Sequence, residues 1–506
     1  PKPDVVNGTS DSNAIIDTEF YERDRFLKYA TYDNPNTFNS VTNWDATKPG
    51  IWQVTETVTF KDNVTIAKAI DGNGLADKIV SKEYLIYVAA KDAKVDFVNK
   101  TSNLAVNKNG YSLAGDFTSP TGYIYSLNLP VTEAAPTVEQ IKANANTVKQ
   151  EFRATGKTFE FAQSNSAAYN VYYFLENIDG DSQTEVYTKE VKTKNISTKA
   201  DFEQMLASND TATIYLLQND LDFQGSVATT DTPFVGVFNG NGHKLSNAKI
   251  EKTVNETKIY TALFRNVKGG SIMNVTFEDF NIIDVQSGSQ RTGIIGQMEG
   301  GYIYNVKVHN VDVLGRERVG GLVGQVFASS DTGATTYIDR VSVTSDKDDD
   351  GNYLHKVQSQ TQRVASLVGY IQAGGAIGWN VCYISNCFID AYAVSDNRYA
   401  SGFVGRYDDR NLNDYLEITT SVFIGRLSAV EMAGGFLGGR GDGKGKLVIM
   451  SCVSEGTMYY TSDQTLVEIA AKNCSNFVGH YSANSDDMIR NCFAPFAEHN
   501  GNYDVT

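Results

Sequence analysis

The sequence predicts an all-β chain whose residues 197–506 form a right-handed parallel β-helix, and three observations predict it. A short phrase recurs six times: Gly293-Ile-Ile-Gly296, Gly321-Leu-Val-Gly324, Ser366-Leu-Val-Gly369, Gly402-Phe-Val-Gly405, Gly435-Phe-Leu-Gly438 and Asn476-Phe-Val-Gly479. A second phrase, Ile-x-polar-(Val/Cys), alternates with it, at Ile272-Met-Asn-Val275, Ile303-Tyr-Asn-Val306, Ile338-Asp-Arg-Val341, Ile384-Ser-Asn-Cys387, Ile449-Met-Ser-Cys452 and Ile489-Arg-Asn-Cys492. Between them, segments such as Ile303-Tyr-Asn-Val306-Lys-Val308-His-Asn-Val311-Asp-Val313 alternate apolar with polar residues, the period of a half-buried strand.

A unit of two or three short strands buries no face alone, so such units become stable by stacking on copies of themselves. The closing glycines are spaced by 28, 45, 36, 33 and 41 residues; the shortest spacing is one bare coil and the excess is inserted loop. A glycine at a fixed place in every coil answers a left-handed or crowded backbone. A β-propeller is the rival, with blades of about 40–45 residues. Against it stand the shortest spacing and the lack of a blade-closing signature.

The segments before the repeat read in order. Residues 1–35 are polar, a linker with a short helix over 18–29. Residues 36–133 carry strands at Ile51–Phe60, Tyr84–Val88, Lys94–Val98 and Gly122–Leu129, split by turns at Asp71-Gly-Asn-Gly74 and Asn109-Gly110, a β-sandwich-like pattern. Residues 134–196 form a small α+β unit. In it Val138, Ile141, Ala145, Val148 and Phe152 lie on one helical face, and strands follow at Thr158–Phe161, Tyr169–Phe174 and Glu185–Val191. Ser197 N-caps a helix through Leu206 that closes the open end of the solenoid, whose bare edge would otherwise recruit other strands.

The two alternating phrases, with the earlier Gly236-Val-Phe-Asn-Gly-Asn-Gly-His243, resemble the GLUG-repeat family of bacterial secreted and surface proteins over roughly residues 200–497. The resemblance implies a β-helix within an adhesin-like surface protein, or the segment that stands upstream of the zinc peptidase domain in IgA1-protease-type enzymes. The five histidines, at 243, 309, 355, 480 and 499, include no His-Glu-x-x-His, so these residues hold no such zinc site.

A formal charge of −16 argues against nucleic acid and anionic membrane as main partners. No run of 18 apolar residues spans a membrane. The opening Pro1-Lys-Pro-Asp4 reads as processed or as a fragment, and the repeat-like Asn491-Cys-Phe-Ala-Pro495 implies continuation past Thr506. Cys387, Cys452 and Cys492 take the repeat position that Val275, Val306 and Val341 take elsewhere, so they read as core thiols and not as metal ligands.

Four arginines, Arg291, Arg318, Arg363 and Arg398, precede the Gly phrase of their coils by a few residues. Stacking would place them near one corner as a column able to grip carboxylates or sulfates of an acidic glycan, or else paired with acids such as Glu317, Asp396 or Asp408. Glu431 and Lys472 follow in the next coils. Asp346-Lys-Asp348-Asp-Asp350-Gly351 matches the first half of a calcium loop, with Val357 where the bidentate Glu belongs; it reads equally as a calcium site or a solvated acidic loop. Asp279, Asp284, Glu299, Asp312, Asp339 and Asp390 supply carboxylates for glycosidic cleavage if two face one groove. Tyr392, Tyr399, Tyr407 and Tyr415 are candidate sugar platforms, and Arg440-Gly-Asp442 lies in a glycine-rich loop.

The leading reading is a non-catalytic extracellular bacterial surface protein, a rigid adhesive or scaffold module. It would engage glycan or a host or neighbouring cell-surface protein, or self-assemble, with no cofactor beyond a possible calcium ion. The alternatives are a polysaccharide lyase or glycoside hydrolase, and the accessory region of a larger secreted peptidase.

Overall fold

In a computed structural model, the described residues are the strands at 14–16, 50–59 and 79–88 and the span 94–494, less 120, 154–155, 164–166, 179, 181, 253–258, 285–289, 329–332, 374–377, 442, 461–474 and 481–486. The helix expected over 18–29, Lys472, Cys474 and Asp442 lie outside them. The chain divides into two compact units: Pro1–Leu104, Ser112–Phe161 and Tyr169–Glu190 in one, Ala105–Tyr111, Ala162–Ala168 and Val191–Thr506 in the other.

The larger unit is a parallel β-helix, taking the right hand that parallel crossovers take. Each coil contributes a strand bearing the Ile phrase, a short strand, and a strand bearing the Gly phrase, as in Gly301–His309, Asp312–Gly315 and Val323–Ala328. These stack into an Ile sheet, a short-strand sheet and a Gly sheet. In the Ile sheet Ile272, Ile303, Ile338, Ile384, Ile418 and Ile449 pair rung to rung in unbroken register. All six are at most 1% exposed and belong to one continuous core. Cys387, Cys452 and Cys492 are buried in that core; burial pushes the Cys387 thiol up to about 12, as expected of an apolar filler, whereas Cys452 and Cys492 on adjacent rungs interact, which raises the first thiol and lowers the second.

The polar residue of the Ile phrase is the one that turns the corner. Asn274, Asn305, Arg340, Asn386, Thr420, Ser451 and Asn491 all hold φ between 50° and 56°, a left-handed conformation that Asn tolerates best among residues with a Cβ. Stacked asparagines then bond along the helix: Asn274 Nδ2 donates to Asn239 Oδ1 at 3.1 Å, and Asn305 Nδ2 to Asn274 Oδ1 at 2.9 Å. The closing glycines answer crowding instead, since none of the six takes a positive φ. A Cβ at Gly405 would come within 2.5 Å of the Gly369 carbonyl oxygen, one rung away. Inside this sheet Phe403, Phe436 and Phe477 stack at 4.5 and 5.5 Å.

The solenoid begins a little before residue 197, because Lys192–Ile196 already pairs in parallel with Thr213–Leu217. The capping helix spans Lys199–Leu206, and its N-cap is Thr198, one residue later than Ser197. Asp201 Oδ2 accepts from the backbone amides of Ser197 and Thr198 at 3.1 and 2.9 Å, completing a capping box. Phe202 enters the core edge-on to Phe223, Phe238 and Phe264 at 5.4, 5.5 and 5.8 Å, sealing the first coil.

In the smaller unit Gly50–Thr59 and Ile79–Val88 form an antiparallel pair. Thr121–Pro130 lies between Val148–Arg153 and Tyr169–Glu176 in one antiparallel sheet. Strands on both sides of residue 134 thus share a sheet, and no boundary separates 36–133 from 134–196 there. Residues 94–98 form no strand: Phe97 makes a single bridge to Phe117. The helix read over 138–152 stops at Ala143. Asn144 Oδ1 turns the chain by accepting from Asn146 N at 2.9 Å, after which Val148–Arg153 finds strand partners. Phe152 is buried in both readings, on a strand face and not a helix face.

Near the last coils Arg440 is 1% exposed. Its guanidinium donates to Asp409 Oδ2 at 2.7 and 3.0 Å, to the Gly445 carbonyl at 2.7 Å and to Asp487. The Arg440-Gly-Asp442 triplet therefore does not present its arginine, as exposure in a glycine-rich loop suggested; the side chain is an internal clamp between coils. Replacing Asp409 with Ala leaves the buried guanidinium with one carboxylate, Asp487, and leaves the Gly443 and Gly445 amides without their acceptor, and is expected to cost about 2–4 kcal/mol. Gly405→Ala, forced against backbone and not against a movable side chain, is expected to cost about 1–3 kcal/mol. Both are read as a lowered guanidinium midpoint by circular dichroism; an unchanged midpoint in either variant would refute the corresponding packing argument.

Candidate functional site

The outer surface of the Gly sheet gathers the arginines. Tyr260, Arg291 and Arg318 are consecutive register partners, and Arg363 follows, set by the pairing of Val319 with Val364. Arg398 does not continue the column. Val364 pairs with Ala400, so Tyr399 stacks on Arg363, while Arg398 pairs with Gln362 and Glu431 one position upstream. The local reason is the backbone: Arg363, Tyr399 and Met432 share a left-handed φ of 66°, 64° and 61° at the corner. Counting back from the inward aliphatic residue gives Arg-Val, Arg-Val and Arg-Tyr-Ala, which locates the offset in the sequence itself.

Their electrostatic states differ. The Arg363 guanidinium forms an ion pair with Glu317, and Arg398 lies 3.3 Å from Glu431 at an exposed edge. Arg406 Nε donates to Asp408 Oδ1 at 2.6 Å and its Nη1 to Tyr399 Oη at 3.0 Å. Arg291 and Arg318, by contrast, have no carboxylate within ion-pair distance among the described residues. Both donate to one amide oxygen, Gln325 Oε1, Arg291 through Nε and Arg318 through Nη1 at 2.9 Å. Gln325 is 0% exposed and passes the chain on from Nε2 to Gln372 Oε1 at 3.3 Å. The Tyr260 ring lies 5.2 Å from Arg291, and the Tyr370 ring 5.2 Å from Arg318 and 4.6 Å from Arg363. Burial pulls both arginines below their ordinary pKa; Tyr260 and Glu317 partly offset this at Arg291, and Glu317, Tyr370 and Asp408 at Arg318, while a neighbouring guanidinium adds to it, Arg318 acting on Arg291 and Arg363 on Arg318.

The other sequence candidates scatter. Asp346 exchanges side-chain and backbone hydrogen bonds with Asn310, both at 2.9 Å. Asp348 is occupied by its own turn, accepting from Asn352 N at 2.7 Å and Asp350 N at 3.0 Å, which holds its carboxyl below the usual range. Asp350 is exposed, and among the described residues no three His, Cys, Asp or Glu side chains converge as a metal would require. Of the six carboxylates, Asp284 is buried against Thr261 at 2.6 Å, Asp312 meets His355 at 2.8 Å, Asp339 accepts from Ser385 and Asn386, and Asp390 is held by Lys347 and Tyr353. Glu299 faces Lys268 at 3.5 Å. No two of the six are register partners on adjacent rungs.

The expected aromatic platforms are engaged within the fold: Tyr392 is half-buried, with the Tyr353 ring at 6.2 Å and the Arg426 guanidinium at 5.0 Å. Tyr407 and Tyr399 are 1% and 6% exposed, and Tyr415 tilts against Tyr383 at 5.6 Å. What the sequence reading missed is a tyrosine ladder on the Ile sheet, Tyr302, Tyr337 and Tyr383, with near-parallel rings 4.7 and 5.2 Å apart. Tyr337 is covered on both faces, by Tyr302 and Tyr383, and Tyr383 meets Tyr415 on the following rung. A tyrosine one residue before the recurring Ile in three consecutive coils was the signal.

No protein-family model matches this chain. It is 33% identical over 107 residues to Halomucin of Haloquadratum walsbyi, a match to 21% of this chain and 1% of that protein's length. Among solved structures it is similar to an immunoglobulin A1 protease-like protein from Bacteroides ovatus, with 16% identity, TM-score 0.39, and 59% of this chain and 84% of that one covered. A pectate lyase from Pectobacterium carotovorum aligns with 10% identity and TM-score 0.20, covering 79% of this chain and all of that one. No helix among the described residues is long and apolar enough to cross a membrane.

Proposed function

We propose that this chain is a rigid β-helical module of a secreted or cell-surface protein, of the GLUG-repeat kind, that binds acidic glycan on its Gly sheet without cleaving it. The observation that carries the reading is the pair Arg291 and Arg318, with no carboxylate within ion-pair distance among the described residues, set beside the ion-paired Arg363 and Arg406 on one sheet face of a chain whose net charge is −16. Positive charge concentrated against the sign of the whole chain is what an anionic partner selects, because the remaining surface repels it. The Halomucin match favours a secreted or surface setting.

Binding is preferred over turnover on a specific ground. A glycosidase needs two carboxyl groups about 5–9.5 Å apart across the sugar, which neighbouring rungs would supply through register partners. The six candidate carboxylates instead occupy different register positions, five of them engaged by a local partner. Around Arg291 and Arg318 the acids present, Glu317 and Asp408, are tied to Arg363 and Arg406.

A screen of the purified chain against immobilised neutral and acidic polysaccharides, recording retention together with new reducing or unsaturated ends, tests this reading. Retention on acidic polymers that falls as salt rises, with no new ends, is the expected outcome. New chain ends would replace the binding module by an enzyme, and an absence of retention on every polymer would leave no glycan role.

A further inference from the structure

The arginine face, taken as glycan-binding, contains unequal members, and the inequality is informative. Stacking a cation on a cation at a rung spacing of about 4.8 Å is unfavourable unless each charge is neutralised. Arg363 is neutralised by Glu317, Arg406 by Asp408 and Arg398 by Glu431. Arg291 and Arg318 are register partners, half-buried, and among the described residues share the neutral Gln325 Oε1. Each guanidinium has five N–H donors in a fixed fork, and the Nε of Arg318 is buried with no acceptor. Two adjacent, partly desolvated cations converge on one neutral oxygen with donors left over; no described carboxylate lies within ion-pair distance of either, and Glu317, the acid that acts on both, is bonded to Arg363. The Gln325 amide marks the place where the two forks can meet an acceptor; Tyr370, 1% exposed, backs Arg318 and fixes its plane.

We infer that Arg291 and Arg318 form a single oxyanion subsite, filled by one carboxylate or sulfate group borne by a sugar and bridging the two guanidiniums, with Gln325 as its floor and Tyr260 as its side wall. This inference rests on the glycan-binding reading above and narrows it: the face is one subsite, not a ladder of equal ones. One anionic group between two forks supplies charge-assisted hydrogen bonds to both and removes the repulsion between them. Arg363, already paired, flanks the subsite without needing the ligand's charge.

The test uses the full chain and three soluble probes: an oligouronate, the same oligosaccharide with its carboxyl groups reduced to alcohols, and a sulfated neutral oligosaccharide, each titrated by calorimetry. The expected result is binding of the oligouronate, the sulfated probe or both, loss of binding on carboxyl reduction, and a fall in affinity of about ten- to a hundredfold in Arg318→Gln and Arg291→Gln. Lys307→Gln, an equal change of charge on the Ile sheet, is expected to bind as the parent does. Which acidic probe binds tells carboxylate from sulfate. Equal binding of the reduced and acidic forms would overturn the oxyanion subsite while leaving a glycan-binding module. Acidic binding untouched by both arginine variants would place the anion elsewhere on the chain and overturn it too. No binding of any probe would remove the glycan reading and the subsite with it. Should an arginine variant fail to fold, the comparison of acidic with reduced probe on the parent chain still decides whether an anion is read.

Discussion

Every other feature of the β-helix follows from the close approach of one backbone rung to the next. The inward isoleucines set the register, since a slip of one residue would turn the whole column outward. Once Ile272, Ile303 and Ile338 stack, the residue two places on must turn the corner with a left-handed φ, and Asn274, Asn305 and Arg340 do so. The Gly phrase answers the same constraint on another sheet, where the carbonyl of the preceding rung occupies the space a Cβ would take. Two sequence signals that look unrelated are thus two consequences of one spacing. The helix Lys199–Leu206 follows from it as well, because a column of this kind needs an apolar lid at the end where stacking stops.

The same spacing governs the charges. A repeat places like residues on like, which suits isoleucine and asparagine and penalises arginine. The chain meets the penalty by setting an acid beside most of its stacked cations, Glu317 for Arg363, Asp408 for Arg406 and Glu431 for Arg398. Buried deeper, Arg440 takes two carboxylates, Asp409 and Asp487, and a carbonyl, so its ion pairs join successive coils from within. Against that pattern the pair formed by Arg291 and Arg318 is the exception, and in an acidic chain an exception of positive sign is the feature to explain.

Much of this was legible in the sequence, for a physical reason: alternation and recurrence survive in any coil that keeps its core. The Ile phrases predicted the strands of the Ile sheet, and the exchange of Val for Cys predicted where the thiols lie. The coil at Tyr415–Thr419 escaped notice because Thr420 turns its corner in place of asparagine and Ser421 follows in place of Val or Cys, although Ile418 stands in the same buried column. The helix over 138–152 failed because helical and strand periodicities agree on burying Ile141 and Phe152; Asn144 and Asn146, both turn formers, were the arbiters. Arg398 was misplaced because distance to the Gly phrase is a looser ruler than distance to the inward aliphatic residue. Neutralisation by Glu317 and Asp408 was not legible at all beyond a list of nearby acids, since a carboxylate's partner depends on which way two long side chains lean.

The tyrosine ladder shows where recognition belongs in such a fold. Tyr302, Tyr337 and Tyr383 repeat faithfully, and faithful repetition lets each ring cover the next, so the stacked faces stabilise the sheet and are withdrawn from any ligand. The asparagine corners behave likewise, spending their amides on one another. Side chains that repeat therefore satisfy themselves along the axis, and those free to meet something else sit where the repeat is broken. On the Gly sheet the break is local: tyrosine gives way to arginine between Tyr260 and Arg291, and the compensating acid enters only at Glu317, where it is taken by Arg363. The interval between those two departures holds Arg291 and Arg318, cations that the repeat has assembled and that no acid among the described residues meets at ion-pair distance.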